Sequence, residues 1–371
     1  MTTRRQDPVA EEMRRKDEKP SISIRKAREL ALEHFNLRGP HPLDRIFRFG
    51  RQATRIIPLN SYDDRNFLFY RKRMVKFYNG VESGHPAFID AQGRAMARCK
   101  AGGILTNAPV LAKDGKDVVF VELVRKDEGS GELVTRKHAM RVLEFIPGKV
   151  LGDIEQTDDL LVQAGELIGR VDEVFQNFDH IGFHRNHLWD LKHSLKLREF
   201  VGHIRGGSRK ELVVRVLQEF EDKVLPLSGK LRESVIHNDA NDQNILADEK
   251  GKEVIGILDW GDMVKSWLVC EIAIAMAYVM LNKEDILKDA SSLLKGYCKR
   301  VQLRECEVKV LRTLIACRLA CSSTMSAYSA SKDPDNKYLL LTQEPGWKAL
   351  EAFMALPEDV VSKTFARAAT A

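Results

Sequence analysis

At 371 residues the chain exceeds one ordinary hydrophobic core, so two lobes are expected. Apolar residues make up 44% and charged ones 30%, a soluble globular balance, and no stretch approaches the roughly 18 uninterrupted apolar residues of a bilayer span. The net charge of +6 comes from 59 basic and 53 acidic side chains, well mixed, with no basic block or nucleic-acid motif, which argues against nucleic acid as a partner.

Met1 to Pro20 mixes Arg and Lys with acids and lacks an apolar core, so it is expected as a disordered tail and neither a secretory nor a mitochondrial leader. Cysteines at 99, 270, 298, 306, 317 and 321 form no Cys-x-x-Cys pair, which points to a reduced, cytoplasmic chain without zinc or disulfides. Ser21 to Phe35 predicts a helix, with Ser21 or Ser23 as its cap and Ala27, Leu30, Ala31 and Phe35 on one face. Arg45 to Leu59 reads as a strand. The polar loop Pro58 to Phe67 follows, and Ser61, Asp63, Asp64 and Asn66 would close it through side-chain-to-backbone bonds, since it has no glycine.

Met74 to Tyr78 is a short strand carrying one lysine, Lys76. The helix from Ala87 to about Lys100 offers Asp90 as its partner acid, with Glu82 as second choice. Val118 to Val124 and His138 to Phe145 alternate as strands joined by the Lys126–Gly131 turn. Pro147 and Gly148 end the second strand, as expected of a hinge. Beyond it helices are predicted over 158–178, 210–224, 267–281, 284–300 and 305–329, with a last helix to Ala355. The expected architecture is α+β and two-lobed: a tail over 1–20, a small β-rich N-terminal lobe over 21–146, and a larger, mostly helical C-terminal lobe over 147–371.

The chemistry concentrates in His237-Asn238-Asp239-Ala240-Asn241-Asp242-Gln243-Asn244 and in Ile257-Leu258-Asp259-Trp260-Gly261-Asp262. Singly, acids in such a loop are turn formers. Jointly, a His-x-Asp five residues before an Asn, with a second Asp at the end of the next apolar run, is the arrangement of phosphoryl transfer. There Asp239 orients the proton of an acceptor hydroxyl, while Asn244 and Asp259 offer the hard oxygens that suit Mg²⁺. Lys76 reaches the nucleotide phosphates under the Ser61–Asn66 loop, and main-chain groups of Glu144 and Ile146 face the base. No P-loop, Rossmann fingerprint, nucleophile elbow or zinc helix offers another route. His184 and His187 lack the third ligand a metal would need.

These residues resemble the aminoglycoside phosphotransferase and choline kinase relatives, which share the protein-kinase-like fold. Within that superfamily the resemblance is closer to the hydroxylysine kinases. It is carried by Pro58–Phe67, Glu144–Gly148, Phe183–Leu191, His237–Leu246, Gly256–Met263, Ala327–Ser329 and Gly346–Lys348, in order over residues 22 to 355. It implies transfer from GTP to the 5-hydroxyl of 5-hydroxy-L-lysine, a cytoplasmic step of lysine degradation. By matching position, it also implies Asp239 as the catalytic Asp, Asn244 and Asp259 as Mg²⁺ ligands and Lys76 as the phosphate lysine. The chain departs from the family pattern at Asn238, where Gly is usual, at Ala240, where Leu is usual, and at Trp260, where Phe is.

A diamino acid calls for acids near the acceptor site and a cation further off. Asp242, Asp262 and Asp190 are the candidate acids; His184 and Arg185 are the candidates for the carboxylate. Four tryptophans in the C-terminal half (189, 260, 267, 347) also permit a cation–π box, which makes a choline or ethanolamine kinase the alternative. A non-catalytic nucleotide-binding scaffold is the second alternative, since fold alone does not establish activity.

Overall fold

The computed structural model describes residues 7–371 apart from 16, 38–55, 60, 62, 70–71, 127–130 and 333–342. Most of the strand expected over Arg45–Leu59, part of the Ser61–Asn66 loop and most of the Lys126–Gly131 turn lie outside the described residues. The chain divides into two compact units, one of Gln6–Pro147 with His180–Gly182, the other built on Gly148–Asp179 and Phe183–Ala371.

In the first unit, strands Ile56–Leu59, Arg65–Phe69, Arg73–Phe77 and Leu133–Glu144 pair antiparallel in that order, and Val119–Lys126 adds to the last. Alternation along these strands decides what each face carries. Phe67, Phe69, Val75, Phe77, Met140 and Val142 turn to one side. There they bury the helix Ile24–His34 through Ala27, Leu30 and Ala31. Ser23 caps that helix by accepting the Lys26 amide proton. The register Asn66–Lys76–Arg141 puts a polar row on the opposite side, because each is one residue out of phase with the apolar set. Residues 8–15, expected to be disordered, instead form the helix Pro8–Arg15. Its apolar content is too small to predict it. Its anchor is ionic: Arg15, at its end, pairs with Asp63 and with Glu82.

The second unit is helical around three small antiparallel pairings. Glu233–Ile236 pairs with Val264–Trp267, and Ile245–Ala247 pairs with Val254–Ile257 and with Lys149–Val150. Helices Asp158–Val174 and Ile286–Cys298 cross in close contact. A Cβ on Gly165 would lie 1.9 Å from the Leu293 carbonyl oxygen, and one on Gly296 1.9 Å from that of Val162, so glycine is required at both points. The apolar helix Val269–Val279 and the long helix Glu305–Lys332 complete the core, with Gln343–Ala355 and an unforeseen final helix, Glu358–Thr370, outside them. No described helix is long and apolar enough to cross a membrane.

At the same crossing, Tyr297 donates its hydroxyl proton to the buried Asp172 carboxylate at 2.6 Å. Burial, reinforced by the charge of Glu271, raises the Asp172 pKa well above its usual value. A raised carboxyl pKa in the folded state means stability is fully present below the unfolded pKa and is lost as pH rises towards the folded one, at about 1.4 kcal/mol per pH unit. Asp172→Asn removes that ionisation. Urea midpoints of the variant should therefore fall less between pH 5 and pH 8 than those of the parent, and an unaltered pH slope would contradict the assignment.

Candidate active site

The loop His237–Asn244 leaves the strand Glu233–Ile236 and enters the strand Ile245–Ala247. Its turn is made at Asn238, which lies in left-handed backbone at φ +66°. Asn enters that region more readily than other non-glycine residues, so the departure from Gly is accommodated. Ala240 is fully buried. The turn directs two amide protons inward, and the buried carboxylate of Glu271 accepts from both His237 and Asn238. Burial pushes Glu271 up to about 7 in spite of those amides and the nearby Arg318 charge.

His237 links the two halves of the site. Burial lowers its pKa, so the ring is neutral. Its Nε2 proton goes to the Leu258 carbonyl at 2.9 Å, while Nδ1 accepts the Asp239 amide proton at 3.3 Å. Leu258 in turn donates its amide proton to the Asn244 carbonyl at 2.8 Å. Asn244 and Asp259 are thus held within one residue of the same backbone bond, which brings the three expected residues together.

Asp239 is surrounded by donors. Its Oδ1 accepts from Arg318 Nη2 at 2.7 Å and from Asn241 Nδ2 at 2.9 Å; its Oδ2 accepts from Asn244 Nδ2 at 2.8 Å. Burial raises its pKa to about 8, against the attraction of Arg318 and with the repulsion of Asp262 and Asp259. Asn244 gives amide protons to the Asp239 carboxylate and to its backbone oxygen, so the atom left to it for a metal is its carbonyl oxygen. The Asp259 carboxylate is exposed on left-handed backbone at φ +59°. Two hard oxygens completed by waters and phosphates form a donor set that fits Mg²⁺. Among the described residues no three His, Cys, Asp or Glu side chains form a closed metal cage.

Asp262 follows. His187 Nε2 lies 2.9 Å from its carboxylate, and Arg185 donates to the flanking carbonyls of Gly261 and Met263 at 2.9 and 3.1 Å. Burial works against ionisation, yet the bond from His187 and the charges of His187, Arg185 and Arg318 hold Asp262 well below the usual range.

Four residues expected at the substrate have other partners in the structure. Arg185 is turned to backbone carbonyls, and His184 pairs with Asp179 at 2.7 Å. Asp190 is 1% exposed, accepts the Ser266 hydroxyl proton and caps the helix beginning at Leu191, so it is a structural acid beneath the surface. Asp242 turns to Gln156 Nε2 at 3.4 Å, and the neighbour that touches Asp239 is Asn241.

In the first unit, the Lys76 ammonium lies 2.8 Å from the Asp64 carboxylate. This corrects the expected pairing with Asp90, which is engaged by Arg94 at 2.9 Å and His180 at 3.2 Å; the second choice, Glu82, meets Arg15 and also feels the Lys76 charge. Asp64 also accepts the Asn79 amide proton at 2.7 Å, and Asp63 is held by Arg15. The Ser61 carbonyl accepts from Lys19 at 3.3 Å, and Asn66 sits beside Lys76 with its Oδ1 buried and, among the described residues, without a hydrogen-bond partner. The Glu144 amide is bonded to Ala108 O at 2.9 Å. Among the described residues the Ile146 amide has no hydrogen-bond partner.

Glu271, Arg318 and His187 were not foreseen as site residues. The available signal was a charge inside an apolar run: Glu271 in Leu268–Leu281, and Arg318 in Leu314–Ala320.

A model of the phosphotransferase enzyme family matches residues 56–301. The hydroxylysine kinase of Mus musculus is 30% identical over 338 residues, covering 85% of this chain and 88% of that protein. Among solved structures, a microcompartment-associated aminopropanol kinase aligns with a TM-score of 0.60 at 18% identity, covering 92% of this chain and 93% of the other. An amicoumacin kinase in complex with AMP-PNP, Ca²⁺ and Ami aligns with a TM-score of 0.58 at 15% identity, covering 84% and 94%. Both share the two-lobed kinase-like α+β fold. With its family motif spanning the loop at Asp239, the chain belongs to the phosphotransferase enzyme family, close to the hydroxylysine kinases, and acts as a phosphotransferase on an alcohol group.

Proposed function

We propose that the chain transfers the γ-phosphoryl group of GTP to the 5-hydroxyl of 5-hydroxy-L-lysine, in the cytoplasm, as a step of lysine degradation. The observation that carries the chemistry is the Asp239–Asn244 contact at 2.8 Å, which sets a proton acceptor beside a metal-binding amide. The likeness to the mouse hydroxylysine kinase along most of both chains supports the acceptor. Bound Mg²⁺, held by Asn244 and Asp259, would neutralise charge on the phosphates. The acceptor oxygen attacks the γ-phosphorus, its proton passes to Asp239, and GDP leaves with the electrons of the broken bond. Lys76, fixed by Asp64, steadies the α- and β-phosphates under the Ser61–Asn66 loop, and backbone at Glu144 and Ile146 meets the base. Asp262, kept ionised by His187, receives an acceptor ammonium.

The choline or ethanolamine reading is disfavoured by the tryptophans. Trp189 carries the Arg318 guanidinium on its ring, Trp347 carries that of Arg209, Trp267 stacks on Phe220, and Trp260 packs on Phe175. The scaffold reading is disfavoured by the network around Asp239, which a disused site would have no reason to keep.

Three outcomes test the assignment. Asp239→Asn should lower kcat about 10²–10⁴-fold while a titration shows nucleotide still binding; full activity would remove Asp239 from the reaction. Asp259→Ala, like chelation of Mg²⁺ from the parent protein, should abolish Mg²⁺-dependent nucleotide binding, and unchanged binding would contradict its role. A panel of 5-hydroxylysine, choline, ethanolamine and an aminoglycoside, each with GTP and ATP, should give turnover with hydroxylysine and GTP. Silence across the panel would favour the scaffold.

A further inference from the structure

Arg318 lies in the middle of the helix Glu305–Lys332 and is 1% exposed. A cation there must be matched, and its surroundings are specific. Nη2 donates to Asp239 Oδ1 at 2.7 Å, Nη1 donates to the Trp189 carbonyl at 3.2 Å, and the guanidinium plane lies over the rings of Trp189 and Tyr278 at 5.0 and 5.2 Å. Two donors at fixed separation plus two flanking rings leave the group little freedom. Asn241 is the second donor to the same oxygen, at 2.9 Å.

A carboxylate oxygen accepts two hydrogen bonds in its plane. Oδ1 of Asp239 has both, from Arg318 and Asn241. Among the described residues Oδ2 has one, from Asn244, and retains capacity for another. We infer that Arg318 is a positioning residue that fills one oxygen of Asp239 and thereby directs the acceptor hydroxyl to the other, beside Asn244. The inference rests on the reading of Asp239 as the group that takes the acceptor proton. It assigns Arg318 the choice of which oxygen takes it. A hydroxyl on Oδ2 approaches from the side of the amide proposed to hold the metal. A hydroxyl on Oδ1 would be displaced by the width of the carboxylate, and a misplacement of about 1 Å is enough to cost about 10²-fold in rate.

Two variants of the full chain test this, assayed with 5-hydroxylysine and GTP. Arg318→Lys keeps the charge but loses the two-point grip. Asn241→Asp keeps the oxygen that accepts the Gln243 and Asn244 amides and replaces the donor to Oδ1. Arg318→Lys should lower kcat for acceptor phosphorylation about 10²-fold, with the nucleotide dissociation constant unchanged by titration. The phosphorylated acceptor formed per nucleotide consumed should also fall, as water competes for a misdirected site. Asn241→Asp should move both readouts the same way, by less. If both variants keep the parent kcat, or if rate falls while the product-to-nucleotide ratio stays at the parent value, Arg318 has only a structural part and the inference fails. Asp239→Asn in the same assay separates the two readings: if it still transfers at the parent rate, the assignment of Asp239 is what has failed.

Discussion

To turn the chain just ahead of Asp239, the backbone at His237 and Asn238 must face two amide protons into the protein interior, and one carboxylate, Glu271, meets both. Left unmet, each buried donor would cost about 1–3 kcal/mol. The loop cannot therefore hold its shape without an acid at that point in the core. That acid comes from a helix otherwise composed of apolar residues, and burial lifts its pKa to about 7. The His237 ring then carries the constraint onward. It bonds to Leu258, Leu258 bonds to Asn244, and Asn244 closes the circuit on Asp239.

Placing one acid under the loop and a second on it sets two carboxyl groups close together in the interior, with Asp262 beside them. Arg318 answers them from the facing helix, and removing one partner of such a buried pair typically costs about 3–5 kcal/mol. Asp239 and Asp262 are driven in opposite directions by their surroundings: the first up to about 8, the second well below the usual carboxylate range. Pairs of acids separated in this way mark divided labour in acid–base sites. The contrast comes from their partners: Arg318, Asn241 and Asn244 around Asp239, and His187 at Asp262.

Much of this was legible in sequence, for reasons of spacing. His-x-Asp with Asn five residues on, then an Asp after an apolar run, fixes a loop and a strand pair whose ends must meet, and Asn238 was recognisable as a residue that tolerates left-handed backbone. What could not be read was the identity of partners across long separations. Arg318 lies 79 residues from Asp239, and Arg15 lies 67 from Glu82. Periodicity places such residues on an element but does not say which distant charge they meet. For the same reason local grounds did not reveal that Asp190 accepts from Ser266 and Asp242 from Gln156. The helix Pro8–Arg15 was hidden by its polarity, since ion pairs rather than an apolar stripe hold it.

The lysine of the first unit illustrates what a changed partner does. Strand alternation alone sets Lys76 in the polar row beside Asn66 and Arg141, away from the phenylalanine core. In the usual kinase arrangement the acid that holds this lysine is on a helix. Here it is Asp64, just ahead of the strand Arg65–Phe69, and the same carboxylate accepts the Asn79 amide proton. Asn79 also donates to the Asp63 and Arg15 carbonyls, at 3.1 and 2.8 Å, and Arg15 returns to the Asp63 carboxylate. Lysine, loop and N-terminal helix therefore share one network. Asp63 and Asp64 are thus tied to Arg15, Asn79 and Lys76 by side-chain bonds, and any displacement of Asp64 must carry the ion pair to Lys76.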